Sequence, residues 1–456
     1  MRNILIKTIS SIILVFLFTI VSIAQREVVF VHGFNSEGGT WTKYRNWLLT
    51  TAGSTVSSDI PKDYIWYNGI QNFANDVSRQ NTPAVQKDRN IMIGHSTGGA
   101  VLRNLDLDGK FIVGEHGIIT VGAPLAGAAI ANAFRNGQID NFAQEASIKL
   151  LAGPEIQGFA FPGSSVALNI IGGAFGTFTI FGLPGIIKSV VKSILGIDKG
   201  SDTVIDLAEN SAFFQNDAQK LATSTHKVSI YGEAYDPQLF RFVGSSFWKN
   251  ESRGLPPTDL SPGDNADGFV NTINVTKAIY AAAAAGNAAT AGWFTVSSFF
   301  DFGASAPVAA YFWASSIGWF IGFDWLDDGG NRGYLGLIDA NSWQQTCYNY
   351  YSNTCTNQHY YGDCYALGQR QGIQWQFSCH NDCWQTRSYC ITSPANSVSD
   401  GFIKGNSAIG FGLQNWNAPT LYRVQNVNHN EETNNSKMES TYNSIFFNDL
   451  GYFKLK

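Results

Sequence analysis

The sequence predicts an α/β chain, built on a mostly parallel sheet flanked by helices. Three observations carry this. Short apolar, β-branched runs alternate with segments of helical periodicity over residues 27–232. The connections between runs are long enough for crossover helices, which parallel strands require. One run, Asn90 to Ile93, leads straight into Gly94-His95-Ser96-Thr97-Gly98, and a helical segment follows.

The elements follow in order. Glu27 to Val31 (EVVFV) reads as a buried strand ending in His32-Gly33-Phe34. Residues 41–50 carry apolar side chains at helical spacing, and Tyr64 to Tyr67 (YIWY) reads as a second strand. Residues 70–80 read as a helix, and NIMI as the third strand. Gly99 to Leu105 opens the next helix, and Gly117 to Val121 (GIITV) is a further strand. Thr203 to Phe214 reads as helical, and Lys227 to Gly232 as a strand. Thr420 to Val424 returns to strand character, and a helix-like segment closes the chain near 437–450.

The domain organisation read from composition has four parts. Residues 1–24 resemble a secretory signal, with Arg2 and Lys7, an apolar stretch from Ile12 to Ile20, and small residues before Gln25. Residues 25–239 form the first part of the core. Within them a glycine-rich apolar segment at about 150–200 reads as a lid-like cover, uncharged over 157–187. Residues 240–395 form an aromatic-rich insertion whose disulfide-rich part is 341–393. Residues 396–456 complete the core. All six cysteines (Cys347, Cys355, Cys364, Cys379, Cys383 and Cys390) lie in the insertion, and their even number in an exported chain suggests disulfides. Zinc is the competing reading, since His359 and His380 lie among them, but no pair of CxxC units is present.

Only 14% of the 456 residues are charged, against ~25% for an average soluble chain. The net charge of −5, with no basic run, excludes nucleic acid as an expected partner.

The glycine-flanked Ser96 fits G-x-S-x-G, in which a serine sits on a strained turn between strand and helix. A serine hydroxyl is a weak nucleophile. It needs a base within hydrogen-bond reach and a carboxylate to orient that base. On a sheet of this type the order is serine, acid, histidine. His429, in a polar loop after a strand, is the expected base. Asp400, in SVSDGFIKG, is the favoured acid because a short connection separates it from His429. Asp267, in a second Asp-Gly sequence that would likewise form a tight turn, and Asp236, at the end of a strand, remain alternatives. The oxyanion donors are expected to be the Thr97 and Phe34 backbone N–H groups. His95 is expected to point away from Ser96.

VFVHGFNSEGGTW, IMIGHSTGGAVLR, ITVGAPLAGA and SDGFI…NVNHNEE together resemble the α/β-hydrolase lipases and esterases, particularly secreted bacterial ones. The resemblance covers residues 26–239 and 396–456. It implies an ester hydrolase working through an acyl-enzyme on Ser96, without cofactor. A structural calcium, with Glu431 as a remnant ligand, is a subsidiary implication. The expected product is a secreted, periplasmic or cell-surface enzyme acting on lipid or other esters, in contact with a lipid surface. The alternatives are an exported lipid- or glycan-binding protein on a hydrolase scaffold, or a serine acyltransferase. The oligomeric state is left open.

Overall fold

A computed structural model describes residues 26–81, 90–111, 116–160, 201–234, 237–245, 262–300, 304–339, 343–352, 374–376, 385–394, 399–400, 402–408, 410, 413–416, 420–449 and 451–455. The leader at 1–24, most of the lid-like segment, Asp236, His359, His380 and four of the cysteines lie outside the described residues.

Six strands form one parallel sheet, whose spatial order is Val56–Ser57, Arg26–Val31, Ile91–His95, Gly117–Val121, His226–Glu233 and Thr420–Gln425. Along the chain, β1 is Arg26–Val31, α1 Thr42–Ala52, β2 Val56–Ser57 and α2 Ile70–Gln80. Then come β3 (Ile91–His95), α3 (Thr97–Leu107), β4 (Gly117–Val121), α4 (Ala129–Arg135), α5 (Gln138–Ala160), α6 (Asp202–Leu207) and α7 (Ala212–Ala218). β5 is His226–Glu233 and α8 is Gln238–Ser245. A long helix, α9 (Pro262–Phe300), and α10 (Ala306–Asp324) follow, then α11 (Gly330–Leu337).

Every strand of the sheet runs parallel to its neighbour, with Val28 opposite Ile91, Ile93 opposite Ile119 and Ile119 opposite Val228. β3 and β4 are buried along their whole length, so their sequences are apolar rather than alternating. On one face Phe30, Ile93, Val121 and Ile230 pack with Trp41, Tyr44 and Leu48 of α1 and with Met438, Tyr442 and Phe446 from the end of the chain. Trp41 also donates its indole N–H to the Val31 carbonyl at 3.0 Å, which ties α1 to the end of β1.

A smaller, separate unit spans Asp339–Val398. It contains an antiparallel sheet of β6 (Trp343–Ser352), β7 (Gln374–Gln376) and β8 (Gln385–Pro394) in the order β6-β8-β7. Its register sets Cys347 directly opposite Cys390, a backbone spacing that a disulfide can close. The first unit comprises the chain up to Ile338 together with Ser399–Lys456. It therefore includes α9 and α10. Its last elements are α12 (Gly405–Ala408), β9 (Thr420–Gln425) and α13 (Ser436–Asn443).

Two local expectations are corrected. Tyr64 to Tyr67 is not a strand. Its backbone donors go to side chains instead: Tyr64 N–H to His32 Nε2 at 3.0 Å and Ile65 N–H to Asp76 Oδ2 at 3.0 Å. β-propensity cannot make a strand where no neighbour offers a ladder; the place at the sheet edge goes to the short β2. Asp267-Gly268 is not a turn but lies inside α9, which starts at Pro262 with a fixed φ suited to a first helical position.

Candidate active site

The chain runs from β1 out to β2 and then returns across β1 to β3. Strand order reverses between β1 and β3, and the crevice at the C-terminal ends of such strands is where open α/β sheets bind ligands. His32-Gly33 and Ser96 both emerge there.

Ser96 links β3 to α3 with φ 54° and ψ −130°, a conformation non-glycine residues seldom adopt. Its N–H donates to the Val121 carbonyl at 2.9 Å, and its carbonyl accepts from Gly99 N–H at 2.9 Å. Close packing demands the flanking glycines: a Cβ on Gly98 would lie 2.5 Å from the His32 carbonyl oxygen, and one on Gly33 2.7 Å from Ser96 Cβ. This is a strained strand-to-helix elbow at the end of a central parallel strand. The chain has an α/β-hydrolase fold.

On this hydrolase fold, Ser96 Oγ lies 2.9 Å from His429 Nε2. His429 Nδ1 lies 2.7 Å from Asp400 Oδ2. Asp400 sits in a tight turn where its Oδ1 accepts from Phe402 N–H at 2.8 Å and Ile403 N–H at 2.6 Å. The two loops are joined directly, because His429 N–H donates to the Asp400 carbonyl at 2.7 Å. The Asp400 turn is tied to the sheet by Ala234 N–H donating to the Ser399 carbonyl, just past β5. Asp267 stands apart: its carboxylate pairs with Arg241 Nη1 at 2.5 Å and is 60% exposed, whereas Asp400 is 1% exposed.

The residues expected to hold an oxyanion flank Ser96. Thr97 is the first residue of α3, and the first N–H groups of a helix have no partner within it. Phe34 follows Gly33, whose backbone lies against Ser96, and its ring meets Trp66 edge-on. His32 stiffens this loop. Its Nδ1 donates to the Gly33 carbonyl at 2.8 Å and its Nε2 accepts from Tyr64 N–H, a pairing that fixes one neutral tautomer. Burial pushes its pKa down, and the bond to Gly33 only partly offsets that.

Sequence reading missed the groups beneath His429. The His95 ring packs 4.6 Å from the His429 ring, and its Nε2 reaches the His429 carbonyl at 3.0 Å. Glu432, three residues after His429 in the same turn, is fully buried. Its Oε1 accepts from Gly232 N–H at 2.5 Å. Its Oε2 lies 3.3 Å from His95 Nε2 and 3.6 Å from His429 Nδ1. The carboxyl fits only because residue 122 is glycine: φ is +53° there, and a Cβ would come within 1.9 Å of Oε2. Burial, with the nearby Asp400 charge, raises the Glu432 pKa well above the carboxylate range. Burial also drives His95 well below its ordinary value. Burial thus favours the neutral form of each. Nitrogen and carboxylate atoms of His95, His429 and Glu432 lie close enough to hold one metal ion, but Asp400 already engages His429 Nδ1. Glu431 faces a guanidinium: Arg241 Nη2 is 3.6 Å from its Oε1, and its Oε2 accepts from Asn428 N–H at 2.8 Å.

A raised folded pKa on an acid contributes stability only while the group stays protonated. That contribution fades as pH climbs from the ordinary carboxylate range through the raised value. Glu432→Gln keeps the neutral shape without the titration. Its melting temperature relative to wild type is expected to rise steadily from about pH 4 upward. Parallel melting curves across that range would show Glu432 to be charged in the fold.

No family model and no curated protein matches the chain. Among solved structures it is similar to the mature lipase BlEst2 of Bacillus licheniformis, at 15% identity over 46% of this chain and 66% of that one, with a TM-score of 0.27. It is similar to an extracellular alpha/beta-hydrolase from a Paenibacillus species at 18% identity, over 45% and 77% of the two chains, with a TM-score of 0.25. An esterase, RhEst1 from a Rhodococcus species, gives 15% identity over 54% and 80%, with a TM-score of 0.24. The match thus spans just under two thirds of the Bacillus lipase. The hydrolase fold itself is carried by the sheet order and the elbow.

Proposed function

We propose that the chain is an exported serine hydrolase that cleaves carboxylic esters, with lipid esters as the favoured class. The carrying observation is the unbroken path Ser96 Oγ–His429 Nε2 (2.9 Å) and His429 Nδ1–Asp400 Oδ2 (2.7 Å). In this reading Asp400 holds Nδ1–H, which leaves Nε2 free to accept the Ser96 proton. Ser96 attacks the ester carbonyl, and the Phe34 and Thr97 amides receive the oxyanion. The alcohol leaves with the proton from His429. Water then repeats the sequence on the acyl-enzyme and releases the acid. No step requires a cofactor.

Labelling of the folded chain with a fluorophosphonate tests the proposal. Modification is expected at Ser96 and no other serine, since only an activated hydroxyl beside a base reacts. A folded chain that stays unlabelled would move the weight to a binding role on the same scaffold. Products from a labelled-ester assay separate hydrolysis from acyl transfer, because water and alcohol attack the same acyl-enzyme.

A further inference from the structure

The hairpin of α9 and α10 has a surface that water does not explain. Between Lys277 and Asp324 the sequence carries one charged residue, Asp301, which lies between the two helices in sequence. One side of the hairpin packs on α5, where Tyr280 donates to the Leu150 carbonyl at 2.7 Å, yet much of its apolar surface stays outside the protein. Trp293 is 71% exposed and Phe300 81%, and Val296, Trp313, Ile317 and Phe320 are exposed as well. Soluble amphipathic helices turn charged side chains to solvent, and a contiguous apolar surface of this kind marks an interaction site. The run Ala306–Leu337 is long and apolar enough to cross a membrane, with one third of its apolar window buried.

We infer that this hairpin is embedded in a lipid bilayer. Four features select lipid over other occupants. The first is length. Residues 278–300 of α9 extend ~34 Å and residues 306–323 of α10 ~27 Å at about 1.5 Å per residue, against ~30 Å of hydrocarbon. The second is how the polar groups are spent. Asn287, Thr290, Thr295 and Ser297 each donate to the carbonyl one turn back on the same helix, at 2.7–3.0 Å. Ser316 donates across the hairpin to the Ala284 carbonyl at 2.8 Å. In hydrocarbon such internal pairing is required. The third is the contact between the two helices, where the small buried residues Ala284 and Ser316 meet and let the backbones approach as bilayer helices do. The fourth is the abrupt return of charge at the root. Lys277 pairs with Asp327 at 2.8 Å, and Arg332 pairs with Asp328 at 2.8 Å. The uncharged length begins at this collar and ends at Asp301.

The root lies beside the candidate site. Asp267 on α9 pairs with Arg241, which faces Glu431, two residues beyond His429. An embedded hairpin would thus hold the site at a membrane surface, where ester lipids are concentrated. The inference does not rest on ester hydrolysis.

The test is flotation of the full chain with phosphatidylcholine vesicles, which offer no net charge to attract it. The chain is expected to float and to remain bound through high salt and alkaline carbonate. The double change Trp293→Lys/Ile317→Lys is expected to lower partitioning by at least about 100-fold, given the cost of a lysine in hydrocarbon. Both positions are exposed, so melting followed by circular dichroism should match wild type. A wild-type chain that stays at the bottom of the gradient overturns the inference. A monomeric chain there would mean that its own segments cover the face, and a dimer dispersed by the lysines would mean that a second copy does. Equal flotation of the double variant would also overturn it. None of these readouts involves Ser96, so a failed labelling experiment and a failed flotation experiment remain distinct.

Discussion

Replacing Ser96 with alanine is expected to reduce turnover of a soluble ester by about 10⁶-fold, while leaving the melting temperature close to wild type. The size follows from the geometry. Oγ is the only atom lost, and it is the atom that would bond to the acyl carbon. Its side-chain hydrogen bond is to His429 Nε2. Losing that bond costs on the order of 1 kcal/mol of stability. The backbone strain at φ 54° is unchanged, since alanine meets the same sterics as serine. Burst kinetics on a chromogenic ester, with circular dichroism on the same samples, make the comparison. Turnover within tenfold of wild type would remove Ser96 from the mechanism and leave the elbow as a feature of the fold alone.

Asp400→Asn is expected to lower kcat by about 10⁴-fold, and Asp267→Asn to change it by less than about threefold. The asymmetry comes from what each carboxylate touches. Asp400 Oδ1 accepts from Phe402 and Ile403 N–H groups, so an asparagine there would keep its carbonyl oxygen in that seat. Its NH₂ would then face His429 Nδ1 and hold the imidazole in the tautomer whose Nε2 already carries a proton. Such a histidine cannot accept from Ser96. Asp267 is largely exposed and pairs with Arg241 at the root of α9, an interaction worth little at a surface. If Asp267→Asn were the more damaging of the two, the acid would have to be reassigned.

The strands of the parallel sheet and the elbow were legible because each is a local pattern. Runs such as IMI are apolar at every position, which suits only a strand covered on both faces. Gly94 and Gly98 around Ser96 report a turn that larger residues could not enter. The misreadings have equally local causes. YIWY has strand propensity, but His32 and Asp76 take its backbone donors. Asp267-Gly268 has turn chemistry, but a long helix started by Pro262 runs through it. The pair of carboxylates next to His429 in sequence was not legible. Nothing in NHNEE says that Glu431 meets Arg241 while Glu432 turns inward beneath the histidine.

By itself the sequence determined the sheet's apolar strands, the strained serine between strand and helix, and the polar loop that ends in His429. These depend on residue type over a few positions, where sterics and burial leave one economical solution. Only the tertiary structure decided which aspartate lies against His429, which strand candidate finds a neighbour, and that Gly122 opens a seat for the buried Glu432. Those outcomes depend on atoms from distant parts of the chain meeting within a few ångströms. The same is true of the α9–α10 hairpin. Composition shows its lack of charge, but only the folded chain shows which of its aromatic side chains face outward.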